Sequence, residues 1–175
     1  LWMRVPESIK FVYHGKPQKW VRGKDLILHT IARIGVEGAR YQAMEFTGEA
    51  LGYLDMSDRF SMANMAIEAG AKAGLFEADE MTRSFIRARG REDGLYLQSD
   101  PDAEYAAVYE FDVSEFEPFV AVPFIPENVK PVSQLHDLEI DQAVIGMCTN
   151  GNLEDLRAAA EILKGHQIHP RVRAV

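Results

Sequence analysis

Three stretches of the chain carry apolar residues at helical spacing. Residues 24–34 predict an amphipathic helix that ends before Gly35, and residues 79–88 predict another. Residues 153–163 repeat the pattern behind Asn152, which suits the N-cap position because its side-chain oxygen can accept a backbone N–H. We therefore expect a helix at each of these three places.

Runs of β-branched and aromatic residues alternate with the helical stretches. They predict strands at residues 8–13, 40–46, 105–113 and 143–145. Turn-forming residues follow the first run and residues 20–21 then look extended again, so we expect a hairpin there. Strands that alternate with helices along a chain are typical of α/β proteins. The predicted fold class is therefore α/β.

Residues 56–74 form a fourth helical candidate. They carry small residues or methionine along most of their length, and Ser57 suits the N-cap position. Small side chains allow a helix to approach a sheet closely. We therefore expect this helix to be largely buried.

Two of the polar residues in this stretch have an informative spacing. Asn64 and Glu68 are four residues apart, which places them on one face of a helix. A carboxylate in a buried helix is costly unless a partner or a ligand satisfies it. Glu68 is therefore a candidate site residue, and the alternative is a structural ion pair with Arg59 or Lys72.

The only cysteine, Cys148, lies where the strand predicted at residues 143–145 leads into the helix at 153–163. In α/β folds this position lines the usual ligand crevice, because free backbone N–H groups point there. A thiol in such a crevice suits a nucleophile or a metal ligand. A lone cysteine near a strand end is also often inert packing, and the spacing alone leaves both interpretations open.

Composition and charge narrow the range of functions. The 175 residues are 47% hydrophobic and 26% charged, which is enough for a packed core without disulfides. A single cysteine excludes an internal disulfide and favours a reducing, cytoplasmic location. The net charge of -8 argues against a nucleic-acid or anionic membrane surface. The chain has no apolar run long enough for a transmembrane helix and no signal-peptide pattern.

Four prolines between residues 118 and 132 give this segment the composition of an extended linker. We therefore expect one domain over residues 1–117, a proline-rich linker over 118–132 and the start of another domain over 133–175. The chain begins without methionine and ends in what looks like a further strand. It is expected to be a piece of a longer protein.

Five segments together resemble one known family. Residues 145–159, with the tripeptide Cys-Thr-Asn, and residues 59–71, with the pattern Arg-x-x-x-x-Asn-Met-x-x-Glu-x-Gly-Ala, resemble two motifs of the aconitase superfamily. Residues 5–7, 23–26 and 45–48 also occur in the order and at the approximate spacing of that family. The resemblance therefore covers essentially the whole chain.

The resemblance implies a three-layer α/β/α domain from the cluster-bearing half of the family, followed by the start of a second α/β domain. It implies that Cys148 is one of three thiolates that hold a [4Fe–4S] cluster and that Asn150 belongs to the same cofactor-binding tripeptide. The family usually has serine where this chain has Met147, but the cysteine ligand is present. Glu68 and Asn64 match the residues that the family brings into the active site beside the cluster.

The implied activity is that of a hydro-lyase of amino-acid biosynthesis, which moves a hydroxyl between adjacent carbons of a di- or tricarboxylic acid. Glu68 would exchange a proton with that hydroxyl, and Asn64 would orient the cluster or the Glu68 carboxylate. The implied partners are the rest of a large subunit, a separate small, swivelling subunit that carries a serine base, and a small hydroxy carboxylic acid. This piece would be inactive alone.

Two other classes of function remain open from the residues themselves. Cys148 could be the nucleophile of a thiol enzyme, although no histidine lies near it in the sequence. The chain could also be a non-catalytic domain that binds anions at the helix terminus marked by Asn152.

Overall fold

The computed structural model of the protein describes residues 2–91, 94 and 96–175. The chain divides into two compact units, Leu1–Val132 and Ser133–Val175. The first unit contains the following helices and strands, in chain order: β1 (Ser8–His14), α1 (Gly23–Ile34), β2 (Ala43–Thr47), α2 (Met56–Met65), β3 (Ala73–Phe76), α3 (Glu80–Arg87), β4 (Ala107–Asp112), β5 (Phe119–Ala121) and β6 (Val129–Pro131).

The first unit is built on a parallel sheet of four strands in the order β3-β2-β1-β4. Ile9 of β1 lies opposite Met44 of β2 on one side and Ala107 of β4 on the other. The expected hairpin after β1 is therefore wrong, because β1 pairs in parallel with β2 and β4, which follow much later in the chain. Parallel neighbours require a crossover connection, and α1 provides the one from β1 to β2. The predicted α/β class is confirmed.

The core lies on the face of the sheet that α1 covers. Along β1, alternate side chains are buried, and Phe11 and Tyr13 are completely inaccessible to solvent. They join Phe46 of β2 and the apolar side of α1, where Leu26 and Ile31 are also fully buried. The hydroxyl of buried Tyr13 lies 2.7 Å from the Thr30 hydroxyl, so its polar end is satisfied within α1.

The proline-rich segment forms ordered structure rather than an extended linker. Strands β5 and β6 pair in antiparallel orientation, with Phe119 opposite Pro131 and Ala121 opposite Val129. The Asn128 side chain donates to the Pro123 carbonyl at 2.8 Å and closes the intervening turn. This hairpin belongs to the first unit and packs on α1.

The second unit consists of β7 (Gln142–Ala143), α4 (Leu153–Leu163) and β8 (Arg173–Ala174). The two strands pair in parallel, and α4 forms the connection between them. No residue of the second unit is buried, and the strand predicted at residues 143–145 lies instead at Gln142–Ala143. Val144, for example, keeps 61% of its surface exposed.

Candidate active site

The start of α2 is fixed by carboxylates rather than by Ser57, the expected cap. Asp55 is the N-cap residue and accepts the Asp58 N–H at 3.0 Å, while Asp58 accepts the Asp55 N–H at 3.2 Å. Asp58 also accepts the Gly23 N–H at 2.9 Å, and its second oxygen lies 3.2 Å from the Arg22 guanidinium. Burial raises the pKa of the Asp58 carboxyl, while these hydrogen bonds and the Arg22 charge oppose that effect. The starts of α1 and α2 are thereby joined.

Gly23 is needed at this junction because the two helices approach closely. A Cβ atom at Gly23 would lie 2.7 Å from the Asp58 carbonyl oxygen and 2.9 Å from its Cα. Backbone atoms cannot move aside as a flexible side chain can, so any larger residue would push α2 away from α1.

The end of α2 differs from the prediction. The α-helix ends at Met65, a 3₁₀ turn follows at Ala66–Ala69, and Gly70 adopts a left-handed conformation with φ of 79°. The continuous helix predicted over residues 56–74 is therefore wrong beyond Met65. Successive residues turn by about 120° around the axis of a 3₁₀ helix, compared with about 100° in an α-helix. Glu68 and Asn64 are therefore not stacked on one face of a continuous α-helix.

Both proposed site residues on this segment are exposed. Met62, Ala66 and Ala69 face the core as expected, whereas Asn64 and Glu68 lie on the solvent side of the α2 terminus. The expected burial of the Glu68 carboxylate is therefore wrong. The proposed site roles of Asn64 and Glu68 stay predictions.

The structural ion pair considered for Glu68 is also wrong. Arg59 is buried and directs its guanidinium to Asp79, with nitrogen–oxygen distances of 2.7 and 2.8 Å. The Lys72 ammonium lies 4.6 Å from the centroid of the Tyr41 ring. Within the described residues, Glu68 has no ion-pair partner. Its carboxylate is thus available to a ligand.

Glu68 lines a cleft of about 720 Å³ in the first unit. The cleft is bounded by α1, by the end of α2 and by the hairpin segment 119–126. Its charged side chains among the described residues are Glu68 and Lys24, and the rest of the lining is mainly apolar. Such an arrangement, apolar walls with a few polar groups, is typical of small-molecule sites.

Sequence reasoning missed Lys24 and the hairpin wall of this cleft. Lys24 occupies an amphipathic helix, where a charged residue is expected on the solvent side, and four prolines made residues 118–132 look like a linker. A signal was nevertheless present, because Phe119, Val120, Val122 and Ile125 are too apolar for a solvated linker.

Cys148 lies in the loop between β7 and α4, and its thiol is free and exposed. The loop is tight, since the Met147 N–H donates to the Asn150 carbonyl at 3.0 Å and a Cβ at Gly151 would lie 2.8 Å from the Met147 nitrogen. Asn150 is half-buried. An accessible thiol in a compact loop can act as one ligand to a metal or cluster.

The start of α4 already carries carboxylates. Asn152 is its N-cap residue as predicted, and the Asn152 N–H donates to Asp155 at 2.9 Å. Glu154 lies in the same turn and pairs with Arg157. These two negative charges occupy the positive end of the helix dipole and disfavour the binding of a free anion there.

Comparison with known proteins connects these features. The Aconitase family (aconitate hydratase) model matches residues 1–137 and 129–175, which together include the whole chain. The chain belongs to the aconitase family. Members of this family are generally [4Fe–4S]-dependent. Within the described residues of this aconitase-family chain, no group of three or more His, Cys, Asp or Glu could hold a metal ion by itself.

The aconitase-family chain is similar along its entire length to proteins named 3-isopropylmalate dehydratase large subunit. It is 59% identical over 175 residues to the one from Moorella thermoacetica and covers 42% of that protein. The relative from Hydrogenobaculum sp. is 55% identical, and the chain covers 41% of its length. The relative from Aquifex aeolicus is 53% identical, and the chain covers 42% of its length. The chain therefore spans about two fifths of the length of these relatives.

None of the helices in the described part of this aconitase-family chain has the length and hydrophobicity that a bilayer crossing requires.

Proposed function

We propose that this chain is part of the large subunit of a [4Fe–4S] hydro-lyase that isomerises a hydroxy acid by dehydration and rehydration. The proposed substrate is 3-isopropylmalate, which places the enzyme in leucine biosynthesis. The observation that carries the proposal is the Glu68 carboxylate, which is exposed, has no ion-pair partner among the described residues and lines a 720 Å³ cleft. The high identity to the named large subunits supports the choice of substrate.

Cys148 is the proposed cluster ligand, and Asn150 is proposed to belong to the same cofactor-binding loop. The Cys148 thiol fits the role because it is free, exposed and held in a compact loop. Thiolates are the usual ligands of iron–sulfur clusters. When bound, the cluster supplies a Lewis-acidic iron for the substrate hydroxyl and carboxylate. Cys148 would be one of three thiolates, the other two lying in the rest of the large subunit.

Glu68 is the proposed acid–base residue. An unpaired carboxylate can accept a proton from water or return one to a departing hydroxyl, and dehydration followed by rehydration requires both directions. Asn64, on the preceding turn, is proposed to orient the cluster or the Glu68 carboxylate. The remaining proton transfer, at the substrate carbon, would belong to the serine of a separate small subunit.

The complete enzyme is proposed to be cytoplasmic, to contain the remainder of the large subunit and to bind a small hydroxy carboxylic acid. Homoaconitase of lysine biosynthesis and aconitase use related chemistry on tricarboxylic acids. The mainly apolar lining of the Glu68 cleft favours a substrate with an alkyl branch over these.

The test is Glu68→Gln in the complete large subunit, assembled with its small subunit. Glutamine keeps the shape of the side chain but cannot exchange a proton, so kcat per cluster should fall about 10²–10⁴-fold. Iron content and the denaturation midpoint should stay unchanged, because Glu68 makes no ion pair within the described residues. Glu37→Gln, at an exposed glutamate outside the cleft, is the matched control. A normal kcat per cluster in Glu68→Gln would refute the role of Glu68.

A further inference from the structure

Lys24 lies at an unusual position for a lysine. It is half-buried in the first turn of α1, where the helix dipole disfavours a positive charge. The nearby carboxylates are already engaged: Asp25 accepts the Arg22 and Phe119 N–H groups, and Asp58 accepts the Gly23 N–H and the Arg22 guanidinium. Within the described residues, Lys24 has no carboxylate partner. Helix stability therefore does not account for this cation.

Lys24 lines the same cleft as Glu68. Leu28 and Met65 line the cleft with it, and no carboxylate of the described residues lies within ion-pair distance of its ammonium. A cation in such surroundings attracts a ligand carboxylate.

The opposite wall of the cleft is apolar and held in place. It consists of Phe119, Val120, Val122 and Ile125, among other residues of the segment 119–126. Two hydrogen bonds fix the segment near the two ends of α1. The Phe119 N–H donates to Asp25 at 2.8 Å, and the Val36 N–H, just beyond α1, donates to Glu127, just beyond the segment, at 2.8 Å. The wall is therefore fixed before any ligand arrives, which reduces the entropy cost of binding.

We propose that this cleft is a substrate subsite in which Lys24 binds a carboxylate and the hairpin wall receives a branched alkyl group. The inference rests on the proposed function and adds the residues that select the substrate. A substrate with an alkyl branch removes the apolar wall from water. A tricarboxylate would place a further negative charge against that wall without a partner, which is unfavourable. The subsite therefore selects alkyl-substituted hydroxy acids.

The carboxylate half of the proposal is tested with Lys24→Gln and Lys24→Arg in the complete, cluster-loaded enzyme. With 3-isopropylmalate as the probe, Lys24→Gln should raise KM about 10–100-fold, since a charge-assisted hydrogen bond is lost. Lys24→Arg should recover most of the affinity because it keeps the charge. Lys24→Met is a second uncharged variant that keeps the apolar stem if glutamine disturbs the helix. Lys72→Gln, outside the cleft, is the matched control and should leave KM unchanged.

The alkyl half is tested with Val120→Lys, which places a cation on the exposed wall. The ratio of kcat/KM for 3-isopropylmalate to that for citrate should fall about tenfold or more, because the new charge disfavours the alkyl group and attracts a carboxylate. An unchanged ratio would overturn this half of the proposal.

Failure of this inference can be separated from failure of the proposed function. An unchanged KM in both Lys24→Gln and Lys24→Met, together with the expected loss of kcat in Glu68→Gln, would overturn the subsite and leave the function standing. If the complete enzyme with normal iron content does not convert 3-isopropylmalate, the proposed function fails. Binding of 3-isopropylmalate, measured by calorimetry, would then still decide the role of Lys24.

Discussion

The helices α1 and α4 look alike in the sequence but differ in their surroundings. Both are amphipathic, both carry acidic residues in the first turn, and both begin and end close to where the apolar pattern predicts. Seven residues of α1 are buried, whereas α4 has no buried residue and leaves Leu156 and Ile162 exposed. Periodicity and end signals therefore determine where a helix forms, but not whether its apolar side is covered.

The same contrast applies to the chemistry of the two units. In the first unit, the candidate residues line a cleft whose walls are fixed by packing and by buried carboxylates. In the second unit, the candidate ligand Cys148 depends only on a local loop and the start of α4. Changes in the core should therefore affect the first unit, while a change at Cys148 should affect only the proposed cluster.

The largest effect is expected for Cys148→Ser in the complete protein. It should abolish the stable cluster because a serine oxygen is a poor ligand for a soft iron–sulfur unit. The fold should persist, since Cys148 is exposed and similar in size to serine. Iron content and visible absorption after anaerobic reconstitution measure the result. Met147→Ser, at the exposed neighbouring position, is the control and should keep the cluster. Normal iron content in Cys148→Ser would contradict its role as a ligand.

A matched pair of leucine substitutions tests the difference in burial directly. Leu26→Ala should lower the free energy of unfolding by about 2–5 kcal/mol, because Leu26 is fully buried in α1. Leu156→Ala in α4 should change it by no more than about 0.5 kcal/mol, because Leu156 is 44% exposed. Urea denaturation of the 175-residue chain, followed by circular dichroism, measures both. Equal losses would contradict the contrast between the units.

A smaller, pH-dependent effect is expected from Asp79 in the first unit. The hydrogen bond from Arg59 lowers the pKa of Asp79 from 3.8 to about 2. A carboxyl group with a lowered pKa stabilises the fold at pH values above its ordinary pKa. This stabilisation is lost as the pH falls from about 4 towards 2. Burial raises the pKa of Asp25 and Asp58, which acts in the opposite direction.

Comparison with Asp79→Asn isolates the contribution of Asp79. The denaturation midpoint of the unchanged chain should exceed that of the variant at pH 6, and the gap should narrow between pH 4 and pH 2. Because the Asp79 side chain is 46% exposed, solvent screening keeps the gap modest. A gap that is independent of pH would show that the charge of Asp79 contributes nothing.

Local signals in the sequence predicted several elements well. Gly35 and the apolar spacing place the end of α1 correctly, and Asn152 marks the start of α4. The loop position of Cys148 also follows from the sequence, because it lies between a short β-branched run and a capped helix. These features depend on neighbouring residues alone.

Features that depend on distant residues were not predicted. The turn after β1 resembles a hairpin turn, but the partners of β1 are chosen by packing in a parallel sheet. The pattern predicts the end of a helix where strand β3 lies, because Ala73 and Gly74 continue the preceding run of small residues. The 3₁₀ turn that precedes Gly70 was also not predicted, because composition gives no sign of it.

The central position of β1 has a consequence for folding during synthesis. Ile9 pairs with Ala107, so the sheet cannot be completed until β4 has left the ribosome. At a synthesis rate of about 5–20 residues per second, the edge of β1 that pairs with β4 stays unpaired for several seconds. Long-range parallel pairing is also intrinsically slow. The nascent first unit should therefore depend on chaperones most strongly just before β4 emerges.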